Sequence, residues 1–119
     1  MEGSAVSKAK QKGTAAETAV VNYLKSHGYP DVERRTMSGI HDKGDIAGLR
    51  SVVIEVKDHI RMELAQWLEE AEAERRNAHA SHGVVWHKRR GRGSPGDWYV
   101  TMSGEQFLSL LRHVVPEPP

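Results

Sequence analysis

Hydrophobic positions recur along the chain with two different periods, and each period marks a predicted element. Apolar residues recur every three or four positions over Thr14–His27, which is typical of a helix that Gly28 ends. In Val52–Lys57 the residues alternate between two faces, which is typical of a strand. An apolar stripe predicts a longer amphipathic helix over Arg61–His79.

Shorter elements fill the rest of the chain. The sequence predicts an edge strand at Asp31–Met37, strands at Asp45–Gly48, Gly83–Lys88 and Trp98–Thr101, and a short helix that begins after Ser103 and ends near Arg112. The order α, β, β, β, α, β, β, α predicts an α/β fold in which helices flank a central mixed β-sheet. We expect a flexible basic arm over residues 1–12, a single domain over 13–113 and a tail over 114–119.

Composition narrows the class of protein. With 119 residues and 38% hydrophobic positions, the chain has room for one core and one domain. The absence of cysteine excludes disulfides, cysteine-ligated zinc, iron–sulfur clusters and thiol nucleophiles. No apolar run approaches the ~20 residues of a membrane span, and the first residues lack a secretion-signal pattern. We therefore expect a soluble cytoplasmic protein without a membrane partner.

The net charge of +1 conceals a strong segregation of charge. Residues 63–74 carry five Glu and no Lys or Arg, whereas two other segments are basic. The basic residues are Lys8, Lys10 and Lys12 near the amino end and Lys88, Arg89, Arg90 and Arg92 in the second segment. Clustered cations favour a surface that binds a polyanion, although a solvated charged surface explains the same pattern.

Two acidic residues and one lysine are predicted to converge. Strand alternation places Glu55 and Lys57 on one face, and a short hairpin turn places Asp45 opposite Glu55, with Cβ atoms about 4.5–5.5 Å apart. Facing carboxylates repel each other unless a cation lies between them, and a hard divalent ion suits oxygen ligands. The competing interpretations are an exposed alternating strand face and, for Asp45, a turn residue.

A magnesium ion would need few protein ligands at this position. Asp45, Glu55 and the carbonyl of Val56 would suffice, with water and a substrate phosphate completing the coordination. Lys57 could then lower the pKa of the bound water and stabilise transition-state charge. This chemistry hydrolyses phosphodiesters.

Glu17 is a further candidate on the first helix. It could complete the metal site through a water molecule or belong to a second metal site. The alternative is structural, because Thr14 and Glu17 have the spacing of a capping box.

Four short motifs carry a resemblance to a known family. They are Lys12–Glu17, Ser38-Gly39, Gly44–Gly48 and Ile54–Lys57. Together they resemble the PD-(D/E)xK nuclease superfamily, which has the restriction-endonuclease-like fold, and their layout is most similar to archaeal-type Holliday junction resolvases and their phage and bacterial relatives. The resemblance covers about residues 8–102, and Gly44 stands where the superfamily motif has proline.

The resemblance implies a metal-dependent endonuclease that acts as a homodimer and cuts branched DNA symmetrically. By position, Glu17, Asp45 and Glu55 match the acidic metal site, and Lys57 matches the catalytic lysine. Ser38 matches a loop serine near the cleaved strand. The implied cofactor is Mg²⁺, with Mn²⁺ as a substitute, and a phage-encoded enzyme would act in the host cytoplasm.

The remaining conspicuous residues have weaker assignments. Gln66 is a candidate for a supporting polar residue on the second helix, and His41, in the loop before Asp45, is the histidine best placed to contact DNA. The histidines show no spacing typical of metal ligands. The three tryptophans fit core or interface packing better than base stacking.

We therefore expect a magnesium-dependent, structure-selective DNA endonuclease, most simply a Holliday junction resolvase. The lysine-rich arm and the segment Lys88–Arg92 would contact phosphates across a four-way junction. Because one small domain carries one site, symmetric cleavage of two strands requires a twofold dimer. The alternatives are a flap, repair or restriction-type nuclease of the same superfamily and an inactive DNA-binding module of the same fold.

Overall fold

The structure, a computed structural model, describes residues 7–35 and 44–119. Its helices are α1 (Lys8–Ser26), α2 (Leu64–Asn77) and α3 (Gly104–Val114), and its strands are β1 (Glu33–Arg34), β2 (Ile46–Ala47), β3 (Val52–Lys57), β4 (His82–His87) and β5 (Tyr99–Thr101). A 3₁₀ turn, Pro95–Asp97, precedes β5. The predicted order of helices and strands is confirmed.

The main sheet has three strands in the order β3-β4-β5. β3 and β4 are parallel, and β4 and β5 are antiparallel, so the predicted mixed sheet is confirmed. The predicted hairpin between β2 and β3 is wrong, because β2 pairs instead with β1 in a separate two-stranded ribbon. The parallel partner of β3 comes from beyond α2, the kind of crossover connection that parallel strands require.

Helices cover both faces of the main sheet. On one face, Ile54 and Val56 of β3 share a buried core with Val20 of α1. On the other face, Val85 of β4 packs against Trp67 of α2. Because side chains alternate along a strand, the face of β3 directed toward α2 is the one that carries its acidic and basic side chains.

The first helix begins earlier than predicted. Its N-cap is Ser7, whose hydroxyl accepts a hydrogen bond from the Lys10 backbone N–H at 3.1 Å, so the predicted start at Thr14 is wrong. Lys, Ala and Gln favour helix by propensity even where no apolar period marks it. Lys8 and Lys12 are therefore helical, whereas residues 1–6 of the predicted arm lie outside the described residues.

The ends of the other helices agree better with the sequence. Ser103 caps α3, as predicted, by accepting a hydrogen bond from the Gln106 N–H at 3.1 Å. α2 is shorter than predicted at both ends. In the described part of the chain, no helix combines the length and the hydropathy needed to cross a membrane.

The three tryptophans pack in or against the core. Trp67 and Trp98 are buried, which supports the packing interpretation. Trp86 is half-buried, and its indole N–H donates to the Pro95 carbonyl at 3.1 Å. The Trp98 indole N–H donates to the Arg92 carbonyl at 2.9 Å and so fixes the segment Lys88–Arg92, which we call the basic turn, against the core.

Candidate active site

Asp45 joins the β1–β2 ribbon to the main sheet. Its N–H donates to the Ile54 carbonyl at 3.0 Å, and its carbonyl accepts from the Arg35 N–H at 2.8 Å. Its side-chain Oδ2 accepts from the Val56 N–H at 2.7 Å. These bonds lie on either side of Glu55 along β3, so Asp45 is beside Glu55 although the two strands form no ladder.

The residue before Asp45 must be glycine in this conformation. Gly44 has a φ of +95°, a region that L-residues rarely adopt. A Cβ at Gly44 would lie 2.8 Å from Val53 Cγ1 and 3.2 Å from the Ile54 carbonyl oxygen. Proline, whose φ is fixed near −65°, would not fit either. The departure from the superfamily motif at this position is therefore matched by the local backbone.

Lys57 lies between two carboxylates. Its Nζ is 3.1 Å from Glu55 Oε2 and 2.8 Å from Glu70 Oε1. The prediction that Glu55 and Lys57 share a face is confirmed. Burial opposes the charged form of Lys57, but the hydrogen bond with Glu70 and the charge of Glu55 outweigh it and raise the lysine pKa to about 12. Lys57 is therefore an ammonium group at neutral pH.

Both predicted acidic residues bind protons unusually tightly. Burial, then the charge of Glu55 and more weakly that of Glu17, raises the pKa of Asp45 to about 8. Burial and the charge of Glu74 raise the pKa of Glu55 to about 8, although Lys57 opposes this shift. Without a cation, the pair therefore holds a proton at neutral pH more readily than ordinary carboxyl groups do.

The acidic pair fits a small hard cation. Glu55 Oε1 is buried and has no hydrogen-bond donor in the described part of the chain, so it needs either a proton or a cation. Among residues 7–35 and 44–119, no group of three or more His, Asp or Glu side chains is arranged to hold a metal ion. A site with two carboxylates suits Mg²⁺, which takes few protein ligands and keeps several waters.

Glu17 faces the same region from α1. It lies near the middle of the helix rather than at its start, so it does not act as a capping residue. Its Oε1 accepts a hydrogen bond from Arg34 Nε at 2.9 Å. Glu17 and Asp45 line one cleft of about 470 Å³. The structure therefore brings Glu17 to the site, where it is paired with an arginine.

Three cationic side chains line this cleft, and only one of them was predicted from the sequence. Lys10 was predicted, whereas Arg34 and Arg35 on the ribbon were missed. Arg35 Nε is buried and has no hydrogen-bond partner among the described residues. The feature of the sequence that could have revealed them was the pair of adjacent arginines on the predicted edge strand. They place positive charge at the entrance to an acidic site.

Two acidic residues of α2 were also missed. Glu70 contacts Lys57, and Glu74 is buried close enough to Glu55 to shift its pKa. They lie four residues apart, on the side of the helix that meets the sheet. Their spacing of three and seven residues from Trp67, on the apolar stripe, was the feature of the sequence that could have placed them on this side of the helix. Gln66, the residue considered for a supporting role, is exposed.

The predicted DNA contacts are dispersed. Lys88 and Arg89 lie over the rings of Trp98 and Tyr99, each 5.8 Å from the ring centroid. Arg90 forms an ion pair with Asp58. The remaining predicted contacts are exposed Lys8 and Arg92, half-buried Lys12, and Ser38 and His41, which lie outside the described residues.

Comparison with protein-family models, with curated proteins and with solved structures finds no match. The functional assignment therefore depends on the residues and the geometry of the cluster formed by Asp45, Glu55, Lys57, Glu70 and Glu74, which we call the acidic cluster.

Proposed function

We propose that this chain is a metal-dependent DNA endonuclease with a restriction-endonuclease-like fold, and that it cleaves branched DNA such as a Holliday junction. One observation carries the proposal. The Val56 N–H donates to Asp45 Oδ2 at 2.7 Å and so holds Asp45 beside Glu55, and the ammonium of Lys57 lies 3.1 Å from Glu55 Oε2. Two carboxylates and a lysine in one buried cluster are the groups that metal-assisted phosphodiester hydrolysis uses.

Asp45 and Glu55, with the carbonyl of Val56, would hold Mg²⁺ or Mn²⁺ in the proposed enzyme. Glu17, at the edge of the same cleft, would act through a water molecule. When bound, the ion supplies a water of lowered pKa and offsets the negative charge of the phosphate. Burial of the two carboxylates favours occupancy, because a cation relieves both their mutual repulsion and their desolvation.

Lys57 acts in this scheme as a cation and a hydrogen-bond donor. With its pKa raised to about 12, it does not lose its proton near pH 7 and is unsuited to be a general base. Its ammonium would donate to a phosphate oxygen and stabilise the charge that develops in the transition state. Glu70, 2.8 Å from Nζ, holds the lysine side chain in position.

The cations at the cleft would bind the DNA backbone. Lys10, Arg34 and Arg35 line the cleft that contains Asp45, so a phosphate there would be held between them and the acidic cluster. Lys88 and Arg89 follow β4 and line a separate cavity, where they would supply further phosphate contacts. Contacts of this kind position a substrate without reading its sequence.

A homodimer is part of the proposal because each chain carries one such site. Symmetric cleavage of a four-way junction needs two sites related by a twofold axis. Sedimentation of the protein with and without a junction measures the oligomeric state. A protein that stays monomeric on the junction and only nicks one strand would contradict the dimer while leaving the nuclease assignment intact.

The test is cleavage of a synthetic four-way junction compared with flap, duplex and single-stranded DNA, in Mg²⁺, Mn²⁺, Ca²⁺ or EDTA. We expect cleavage in Mg²⁺ and Mn²⁺, with the junction preferred. Asp45→Asn and Glu55→Gln should abolish cleavage but retain junction binding, whereas Glu69→Gln, an exposed acid on α2, should be as active as wild type. Full activity of either site variant would refute the assignment.

Two other outcomes would select the alternatives. Preferred cleavage of flaps or duplexes would indicate a repair or restriction-type nuclease with the same site. Tight junction binding without cleavage in any metal would indicate a DNA-binding module, in which Lys57 serves only as the ion-pair partner of Glu55 and Glu70.

A further inference from the structure

Four aromatic rings follow one another next to the acidic cluster. The ring centroids of His59 and Trp67 are 5.5 Å apart, those of Trp67 and His87 are 5.4 Å apart, and those of His87 and Tyr99 are 5.3 Å apart. Trp67 and His87 are buried, whereas His59 and Tyr99, at the two ends of the row, are exposed. The row therefore has a fixed centre and two accessible rings.

A small cavity of about 210 Å³ lies over this row. Its other walls include Ile60, which is 81% exposed, and Met62, which is 56% exposed. Sites for drug-sized ligands usually measure about 300–1,000 Å³, so this cavity suits a single flat ring system. Ile60 and Met62 are exposed apolar side chains next to the aromatic row, so they could pack against a ring bound there.

The rim of the cavity is positively charged. Lys88, Arg89 and Arg90 line it. Arg90 is neutralised by Asp58, but neither Lys88 nor Arg89 has a carboxylate partner in the described part of the chain. A ligand that matches both the rings and the rim combines a flat aromatic group with a negative charge, as a nucleotide does.

Residues that line the cavity are direct neighbours of Lys57 in the acidic cluster. His87 is paired with Lys57 in the register of β3 and β4, and the Lys88 N–H donates to the Lys57 carbonyl at 2.9 Å. Trp67 lies one helical turn before Glu70, the partner of Lys57. A nucleotide near the cleaved phosphate would therefore reach the aromatic row.

We propose that this cavity binds an unpaired nucleobase of the DNA substrate against the aromatic row, at whose ends Tyr99 and His59 are exposed, with the phosphate of that nucleotide against Lys88 and Arg89. The inference rests on the proposed nuclease function and identifies how branched DNA is distinguished from duplex. In a continuous duplex every base is stacked and paired, so occupying the cavity would require extruding a base at a cost of a few kcal/mol. A bulged base is already unpaired, and a base pair at an open branch point lacks one stacking neighbour, so extrusion costs less at both.

The experiment uses the full chain in EDTA, so that binding is measured without cleavage. The probes are a duplex with one bulged fluorescent adenine analogue and the same duplex fully paired. Wild-type protein should quench the bulged analogue and bind the bulged DNA more tightly. Tyr99→Ala should weaken bulge binding by roughly five- to one-hundred-fold and leave duplex binding within about twofold, since each stacked base contributes about that much.

Matched variants separate stacking from folding. Tyr99→Phe keeps the ring and should bind like wild type, and Phe107→Ala removes another exposed ring, from α3, and should have no effect. Because Tyr99 lies in a strand, His59→Ala in the exposed loop after β3 provides a second test, and thermal unfolding checks each variant. Loss of affinity for the two DNAs in equal measure, or no quenching by wild type, would overturn the inference.

The two proposals can fail separately. Quenching that depends on Tyr99 in a protein that cleaves nothing would contradict the catalytic function and leave the nucleobase site standing. Cleavage that prefers junctions equally in wild type and Tyr99→Ala, without quenching, would refute the nucleobase site and leave the nuclease standing.

Discussion

Lys57 and Glu70 form an ion pair at 2.8 Å that connects the end of β3 to the middle of α2. The lysine contacts Glu55 at the same time, at 3.1 Å. Through this pair, the helix that covers the sheet also sets the position of the proposed catalytic ammonium. At least one of the acidic residues of α2, Glu70, therefore positions Lys57 and is not simply part of a solvated charged surface.

Removing the ammonium should slow the chemical step. We expect Lys57→Ala to lower kcat by about 10²–10³-fold with little change in DNA affinity, as happens when one donor to a transition-state oxyanion is lost. Glu70→Gln should lower kcat by less than about tenfold, because the ammonium remains but is held less firmly. Single-turnover cleavage and binding measured together test both variants. A loss confined to affinity would make Lys57 a phosphate contact only.

The metal-free protein should lose stability as the pH rises from about 4 to about 8. In that range Asp45 and Glu55, with pKa values raised to about 8, retain protons in the folded chain but lose them when it unfolds. At these two groups the folded state binds more protons, so their contribution to the free energy of unfolding falls as the pH rises, whereas His87, whose pKa is lowered by burial, contributes in the opposite sense. We expect a loss of more than about 1 kcal/mol by urea unfolding in EDTA, since each pKa unit corresponds to about 1.4 kcal/mol.

Two controls accompany that measurement. Asp45→Asn should flatten the pH dependence, whereas Glu69→Gln should preserve it. Adding Mg²⁺ at pH 8 should restore the stability of the wild-type protein but not that of Asp45→Asn. A wild-type profile that is flat in EDTA would contradict the protonated acidic pair.

Gly44 and Gly13 should respond oppositely to alanine. Gly44→Ala places a methyl group 2.8 Å from Val53 Cγ1 at a φ of +95°, and we expect a loss of about 1–3 kcal/mol. Gly13 lies inside α1 with nothing within 4 Å of an added Cβ, so Gly13→Ala should gain about 0.5–1 kcal/mol. Chemical unfolding of the two variants measures the contrast, and equal effects would refute the described backbone around Gly44.

The arginines of the basic turn should differ in their effect on DNA binding. Arg89 and Arg92 are exposed, and replacing each by Ala should lower the slope of log affinity against log salt by about one. Arg90→Ala should change the slope less and cost stability, because it leaves the nearly buried Asp58 unpaired. Arg112→Ala, on α3, is the control. An unchanged slope for Arg89 and Arg92 would identify the turn as an ordinary solvated surface.

The parts of the site that depend on local pattern could be predicted. A period of two along β3 was enough to place Glu55 and Lys57 on one face, and the order of elements followed from periods and turn residues. Asp45 was placed beside Glu55 by a hairpin that does not form. The parallel pairing of β3 with β4 depends on a connection through α2 that no local period reveals.

Other parts depend on how elements pack. Glu70 and Glu74 belong to a helix rich in acid, and which side of that helix meets β3 is set by Trp67 and the sheet. Arg34 and Arg35 reach the cleft because β1 pairs with β2, a two-residue ladder too short to leave a periodic signal. The start of α1 was missed because no apolar period marks its first turns, which depend on the Ser7 cap and on favourable helix propensities.

The backbone of Asp45 has a consequence for the dynamics of the protein. Its carbonyl accepts from the Arg35 N–H, while the Asp45 N–H and side chain bond to Ile54 and Val56 of β3, so Asp45 connects two separately paired sheets. The gap between the two acids therefore depends on how the ribbon docks on β3. A cation held by both acids would fasten the ribbon to the sheet. Amide hydrogen exchange at Asp45 and Val56 should therefore slow when Mg²⁺ is added, while exchange in α3 stays unchanged. Metal binding and docking of the ribbon on β3 would then occur together.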